Sequence, residues 1–195
     1  RPGSTAMTPL PHTRSCFVCG EANAHGLRLR FTTDGQVIHS RFTPRAEHIG
    51  FKGVTHGGIL ATVLDEIMVW AVAVPTRRFA YCAELSVRFL HPAQPDVELL
   101  ALGELVTNRR DKIFEAKGEL RTADGRLVAS ATGKYLPIPA DQVPACGPGV
   151  EYMLKKFPLA DVLTKVLVGS GECAEAGWKF LGLTIAGWSL LWLVA

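Results

Sequence analysis

Several things are missing from this 195-residue chain, and each absence narrows what it can do. No run of like charge occurs: the 21 Lys and Arg are scattered among 18 Asp and Glu, for a net charge of +3. A nucleic-acid footprint is therefore excluded. Cysteine is sparse and odd in number, at Cys16, Cys19, Cys82, Cys146 and Cys173. A secreted disulfide scaffold is excluded, and a reducing, cytoplasmic setting is expected. The first residues hold no apolar run, so no signal peptide is expected, and Arg1–Ala6 reads as a cloning remnant ahead of a natural start at Met7. Only one Cys-x-x-Cys exists, Cys16-Phe17-Val18-Cys19, with His25 as the sole ligand nearby in sequence. A closed zinc site wants four ligands, so the expectation is a packed turn with free thiols and no metal.

What is present is apolar. At 48% hydrophobic residues the chain is long enough to build one domain with a real core. Thr55 to Val74 reads as one long helix closed by Pro75. Apolar residues surround its axis from Ile59 onward, so it should be buried on most sides. Strand patterns flank it. Leu27–Phe31 alternates, Asp34-Gly35 signals a hairpin, and Val37–Phe42 returns. After the helix come Ala83–Leu90, Val97–Val106, Lys112–Arg121 and Arg126–Leu136, separated by good turns. Two strands, a buried helix and four hairpin-linked strands predict an α+β fold with a mostly antiparallel sheet wrapped around one helix.

From about Pro137 the character changes to a linker rich in Pro and Gly. Leu159–Val168 shows helical spacing behind Pro158. Trp178–Ala195 is apolar with only Lys179 charged, and as a helix it would span about 27 Å, slightly short of a bilayer core. Packing on its own domain or a partner subunit, membrane contact and a disordered or non-native tail all stay open for it. The expected division is 7–137 as the folded domain and 138–195 as linker and extension of unknown role.

Two features do not belong in a plain core helix: the glycines at its mouth and the acids Asp65-Glu66 in its middle. A helix N-terminus presents unpaired amides and the positive end of a dipole. Gly57 and Gly58 there make an oxyanion site for a polarised carbonyl, with His56 at the cap donating a further bond or shaping the approach. A buried carboxylate is costly unless paired or employed. Asp65 lies eight residues beyond Gly57, roughly 12 Å along the axis, too far for both to act on one carbonyl. Two antiparallel copies of the helix would bring each mouth to the other chain's acid, so a catalytic reading predicts a dimer with composite sites. Glu66 points about 100° away from Asp65 and is held as the reserve acid.

Val54-Thr55-His56-Gly57-Gly58-Ile59 through Leu64-Asp65-Glu66 resembles the signature of hotdog-fold acyl-CoA thioesterases of the PaaI type. Cys16-x-x-Cys19-Gly20, His25-Gly26-Leu27, Ala83–Phe89 and Asp124-Gly125-x-Leu127 extend the resemblance over roughly residues 15 to 137. It implies a hotdog domain, dimers that often pair into tetramers, and hydrolysis of acyl-CoA thioesters, with coenzyme A entering as part of the substrate and no other cofactor. By position, the Gly57 amide would bind the thioester carbonyl beside His56 and Gly58. Asp65 of the other chain would act as general base or nucleophile. The chain departs from the pattern twice. No Asn lies between residues 44 and 56, leaving His48 as a candidate orienting group, and Cys82 stands where a hydroxyl is usual. The coenzyme phosphates call for basic side chains, for which Arg88, Arg109, Arg110 and Lys112 are candidates. The alternatives are a non-catalytic acyl-CoA binder acting as sensor or scaffold and, more remotely, a hotdog hydratase.

Overall fold

The computed structural model describes residues 7–139 and the backbone of two short strands farther on. Nine strands and one long helix lie in the first stretch: β1 (Thr8–Pro9), β2 (Phe31–Thr33), β3 (Val37–Phe42), β4 (Ile49–Phe51), β5 (Val54–Thr55), α1 (Gly57–Thr76), β6 (Ala80–Phe89), β7 (Leu99–Arg109), β8 (Ile113–Thr122) and β9 (Leu127–Pro137). Seven of the strands form one sheet in the order β1-β2-β3-β7-β8-β9-β6, antiparallel throughout, while β4 and β5 pair separately. This is the hotdog architecture: α1 lies against the long strands that curl about it.

Burial explains the wrap. Along α1 the side chains of Val63, Leu64, Ile67, Met68, Ala71 and Val72 are fully buried, and they meet Ala101, Phe114, Leu120, Val128 and Ala129 from the sheet. By length and composition α1 would pass for a membrane span, the one helix to do so among the described residues. Its burial inside the sheet identifies it as a core helix.

The helix begins as expected and ends differently. Pro75 sits inside its last turn rather than closing it; Arg77 ends the helix in a left-handed conformation (φ 56°), its N–H donating to Ala73 O at 2.9 Å. A proline there forfeits a bond only at the fraying end, which the tight cap offsets. The first expected strand is also displaced. Leu27 and Leu29 donate their N–H groups to Phe17 O and Val18 O instead of joining the sheet, and Arg28 takes a positive φ of 58°. The alternation of residues 27–31 therefore reflects packing against the Cys16–Cys19 loop, and the strand proper starts at Phe31. The remaining strand expectations fall within three residues of the observed ones.

The chain divides into two compact units, Arg1–Gln142 and Val143–Ala195. The expected linker and the helix over 159–168 lie outside the described residues. Within the apolar stretch 178–195, β10 (Lys179–Phe180) pairs antiparallel with β11 (Leu183–Thr184), so this part is not the continuous helix its length suggested.

Candidate active site

The mouth of α1 is built by its cap. His56 is the N-cap, with Nδ1 accepting the Gly58 N–H at 2.9 Å. That bond places the ring proton on Nε2, free to donate outward. It also occupies the Gly58 amide, so Gly58 shapes the mouth without offering a donor to it. The Gly57 N–H has no hydrogen-bond partner among the described residues, as the first helical position allows. Gly57 lies under Phe89 of β6: a Cβ there would stand 3.1 Å from the ring. Around it opens a cavity of about 330 Å³ lined by Thr55, Gly57, Leu60, Phe89, His91 and neighbouring residues. Thr55 Oγ1 is buried at its wall without a partner among the described residues. A larger concavity of about 590 Å³, carrying Arg28, Arg30 and Arg41, shares no residue with the mouth.

Two turns along α1, Asp65 is half-buried and accepts the Tyr135 hydroxyl on Oδ1 at 3.0 Å. Tyr135 is itself fully buried, and its ring occupies space that a side chain at Gly133 would fill. Burial, then the Asp65 charge, push the phenol far above its ordinary range, so it stays a donor. Cys82 stands opposite Tyr135 in the β6–β9 register, beside a bulge, and faces both Asp65 and Tyr135. Cys82 is exposed as a residue, but partial burial of its sulfur first, and the Asp65 hydrogen bond and charge next, raise its thiol to about 11. Such a thiol is protonated at neutral pH and is not an activated nucleophile.

Other expected site residues are placed elsewhere. The His48 ring is buried, stacks on Phe42 with centroids 5.8 Å apart, and accepts the Arg45 N–H on Nδ1 at 3.0 Å. It reaches the site only through its carbonyl, which accepts the His56 N–H at 2.8 Å. Gly50 lies directly against His56. Arg109, Arg110 and Lys112 form the β7–β8 turn, where Arg109 pairs with Glu115 at 2.7 Å. Arg78, just past the end of α1, donates to Asp111 O in that turn at 3.2 Å. The turn therefore sits at the far end of α1 from Gly57 in the same chain. Arg88 is exposed on β6 with no ion pair among the described residues. Glu66 faces away from this site, toward Cys16 and Cys19.

Tyr135 was not anticipated. Its signal is an inward-facing position on β9, in the alternation Ala129, Ala131, Gly133, Tyr135, where one polar ring follows three small residues.

Comparison with known proteins agrees with the fold. Residues 52–129 match the model of the family described as Thioesterase superfamily. A crystal structure of a thioesterase superfamily protein superposes with a TM-score of 0.59 at 28% identity, covering 64% of each chain. An X-ray structure of another member, 31% identical, superposes at 0.52 and covers 56% of this chain and 84% of that one. A Streptococcus mutans protein bound to acetyl-CoA shares the fold at 20% identity, with a TM-score of 0.50 over 53% of this chain and 82% of its own. The hotdog unit belongs to the thioesterase superfamily.

A second match corrects the expected cytoplasmic setting. Residues 120–195 match the family described as Disulfide bond formation protein DsbB. The Disulfide bond formation protein B of Hahella chejuensis is 49% identical over 84 residues, 43% of this chain and 51% of the relative. That of Methylococcus capsulatus is 46% identical over 132 residues, covering 66% of this chain and 65% of the relative. The chain thus spans about half of the first of these relatives and under two thirds of the second. DsbB is a membrane protein family, so the extension points to membrane association and the chain is not purely cytoplasmic. The cysteine count misled because it pooled two segments: Cys146 and Cys173 belong to the DsbB-matching part.

Proposed function

We propose that the hotdog unit hydrolyses acyl-CoA thioesters in two composite sites of a homodimer. The observation that carries this reading is the unpartnered Gly57 amide, at a helix N-terminus beside an apolar cavity, with an acid roughly 12 Å down the same helix. One chain separates the two groups too far for a single carbonyl; two antiparallel chains reunite them. The single chain also leaves an incomplete surface. All but two of the ten residues of β6, the terminal strand of the sheet, are exposed, including Tyr81, Leu85 and Phe89. A long edge strand with apolar side chains calls for a partner, and a second β6 supplies one.

In this site the Gly57 N–H, on the positive end of α1, stabilises the oxygen of the attacked carbonyl. His56 Nε2–H stands beside it as a second donor. Asp65 of the partner subunit takes a proton from water or attacks the carbonyl itself, and Tyr135 O–H holds that carboxylate in place. Arg109 and Arg110, at the far end of each helix, fall near the partner's mouth, where coenzyme phosphates need cations. The acetyl-CoA held by the Streptococcus mutans neighbour supports the substrate class.

Thiol release from short, long and aromatic acyl-CoAs, with wild type and Asp65→Asn in parallel, tests the reading. Turnover on one class that the mutant loses while still binding supports it. Binding without turnover on every class contradicts it and leaves an acyl-CoA sensor.

A further inference from the structure

The Glu66 side of α1 carries an arrangement that thioester hydrolysis does not use. Residues 16–20 form a tight turn in which the Gly20 N–H donates to Cys16 O at 2.9 Å and the Val18 N–H donates to Cys16 Sγ at 3.3 Å. A Cβ at Gly20 would stand 2.3 Å from Cys16 O, so the turn admits only glycine there. The turn is pinned to the body of the protein by the Leu27 and Leu29 amides and by the Arg30 guanidinium, which donates to Cys19 O at 2.8 Å. Cys19 is buried, and the two sulfurs and a Glu66 carboxylate oxygen all lie within 4.8 Å of one another.

Glu66 itself is half-buried one residue after Asp65 and has no cationic partner among the described residues. On the next turn of α1 the Trp70 indole faces it, with Nε1 buried and without a hydrogen-bond partner that meets the usual geometry among the described residues. The Cys19 thiol faces the Glu66 carboxylate as a donor, and a cation that displaced the thiol protons would join both sulfurs to that carboxylate. Thiolate and carboxylate ligands at this spacing suit zinc, on which two bound sulfurs stand about 3.8 Å apart given Zn–S bonds near 2.3 Å. A small closure of the triangle is all that is required.

We propose that Cys16, Cys19 and Glu66 bind one Zn²⁺ per chain, leaving the fourth tetrahedral position to water. On binding, the Cys16 and Cys19 thiol protons pass to solvent as the two S–Zn bonds form. Trp70 Nε1–H orients the Glu66 carboxylate, as outer-shell donors do for metal ligands. The ion ties the N-terminal loop to the turn of α1 that carries Asp65. It replaces the expectation of free thiols, which lacked a third ligand because Glu66 lies 47 residues beyond Cys19 in sequence. The exposed His25 is not part of the cluster. The proposal is independent of thioester hydrolysis, since its readout is metal content.

The test uses the full chain, reduced and stripped with a chelator, then titrated with Zn²⁺ against a chromophoric competitor. Cys19→Ser, Glu66→Gln and a Cys146→Ser/Cys173→Ser double variant are titrated in parallel. The expected result is one tight site that the double variant keeps and that Cys19→Ser and Glu66→Gln each weaken by well over 100-fold, beyond the roughly 10–100-fold that loss of an outer-shell partner costs. Co²⁺ on the wild type should give tetrahedral visible bands with thiolate charge transfer, a readout that needs no variant to fold. Zinc retained in both single variants, zinc lost only with Cys146 and Cys173, or a Cys16–Cys19 disulfide that forms with no metal affinity in the reduced protein would each overturn the proposal.

Discussion

Asp65 and Glu66 are consecutive on one helix, yet their surroundings assign them to different chemistry. Asp65 looks toward the edge of the sheet, where Tyr135 donates to it and Cys82 lies alongside. Glu66 looks toward the N-terminal loop, where two sulfurs and the Trp70 indole gather. Burial, and the neighbouring Asp65 charge after it, raise the Glu66 carboxyl above its ordinary range. The helical turn of about 100° per residue is the whole cause of the division. One side meets strands β6 and β9 at the exposed edge of the sheet; the other is closed by the chain's own N-terminal loop. The two adjacent acids thus face two different surroundings and do not form one dyad.

The sharpest way to break that comparison is to neutralise each acid. Asp65→Asn keeps the shape and the Tyr135 contact, and turnover should fall about 100-fold or more with acyl-CoA binding retained, the usual worth of general acid–base catalysis. Glu66→Gln should lose far less turnover; equal losses would show that both acids serve one site. Next comes the mouth. Gly57→Pro removes the N–H at a helical position that tolerates proline, following His56 at φ −60° and ψ 131°, which proline also accepts. Loss of an oxyanion donor predicts about a 10²–10³-fold drop in kcat, measured against Gly57→Ala, which adds the same Cβ beneath Phe89 but keeps the N–H.

Tyr135→Phe removes only the donor to Asp65. A drop of about tenfold in kcat is expected, with stability lowered by about 1 kcal/mol in urea unfolding, the net worth of one hydrogen bond. The smallest effect belongs to Cys82. Its thiol titrates near 11 in the fold against 9.0 for the free group, so alkylation at pH 8 should be slow, with about one thiolate in a thousand. Because the folded pKa is raised, the unfolded chain gives up this proton first as pH rises. The Cys82 contribution to stability is intact below pH 9 and declines between 9 and about 11. Asp65→Asn should quicken the alkylation by removing the neighbouring charge, and an unchanged rate would mean that burial alone protects the thiol.

Much of the fold was legible because it rests on local pattern. The long apolar helix, its glycine mouth and the four strands after it each declare themselves by period and turn chemistry. What escaped depended on long-range contact. The strand expected at 27–31 reads as alternation in isolation, and only the loop at Cys16–Cys19 explains where its backbone bonds go. His48 looked like a site residue because no Asn lies between 44 and 56 to do the orienting, whereas its ring is spent on Phe42 and Arg45. Tyr135 is 70 residues from the acid it holds. Composition misled on cellular setting because two unrelated segments were averaged, one matching the thioesterase superfamily and the other DsbB.

The central claim is that each site takes its amide from one chain and its acid from another. Mixing Gly57→Pro chains with Asp65→Asn chains under conditions that exchange subunits tests it directly. Each heterodimer would hold one intact composite site and one doubly damaged site. With half of all dimers mixed, thioesterase activity should recover to about a quarter of wild type from two nearly inactive parents. No recovery, with heterodimers demonstrated in the mixture, would place both groups of a working site on one chain and contradict the account.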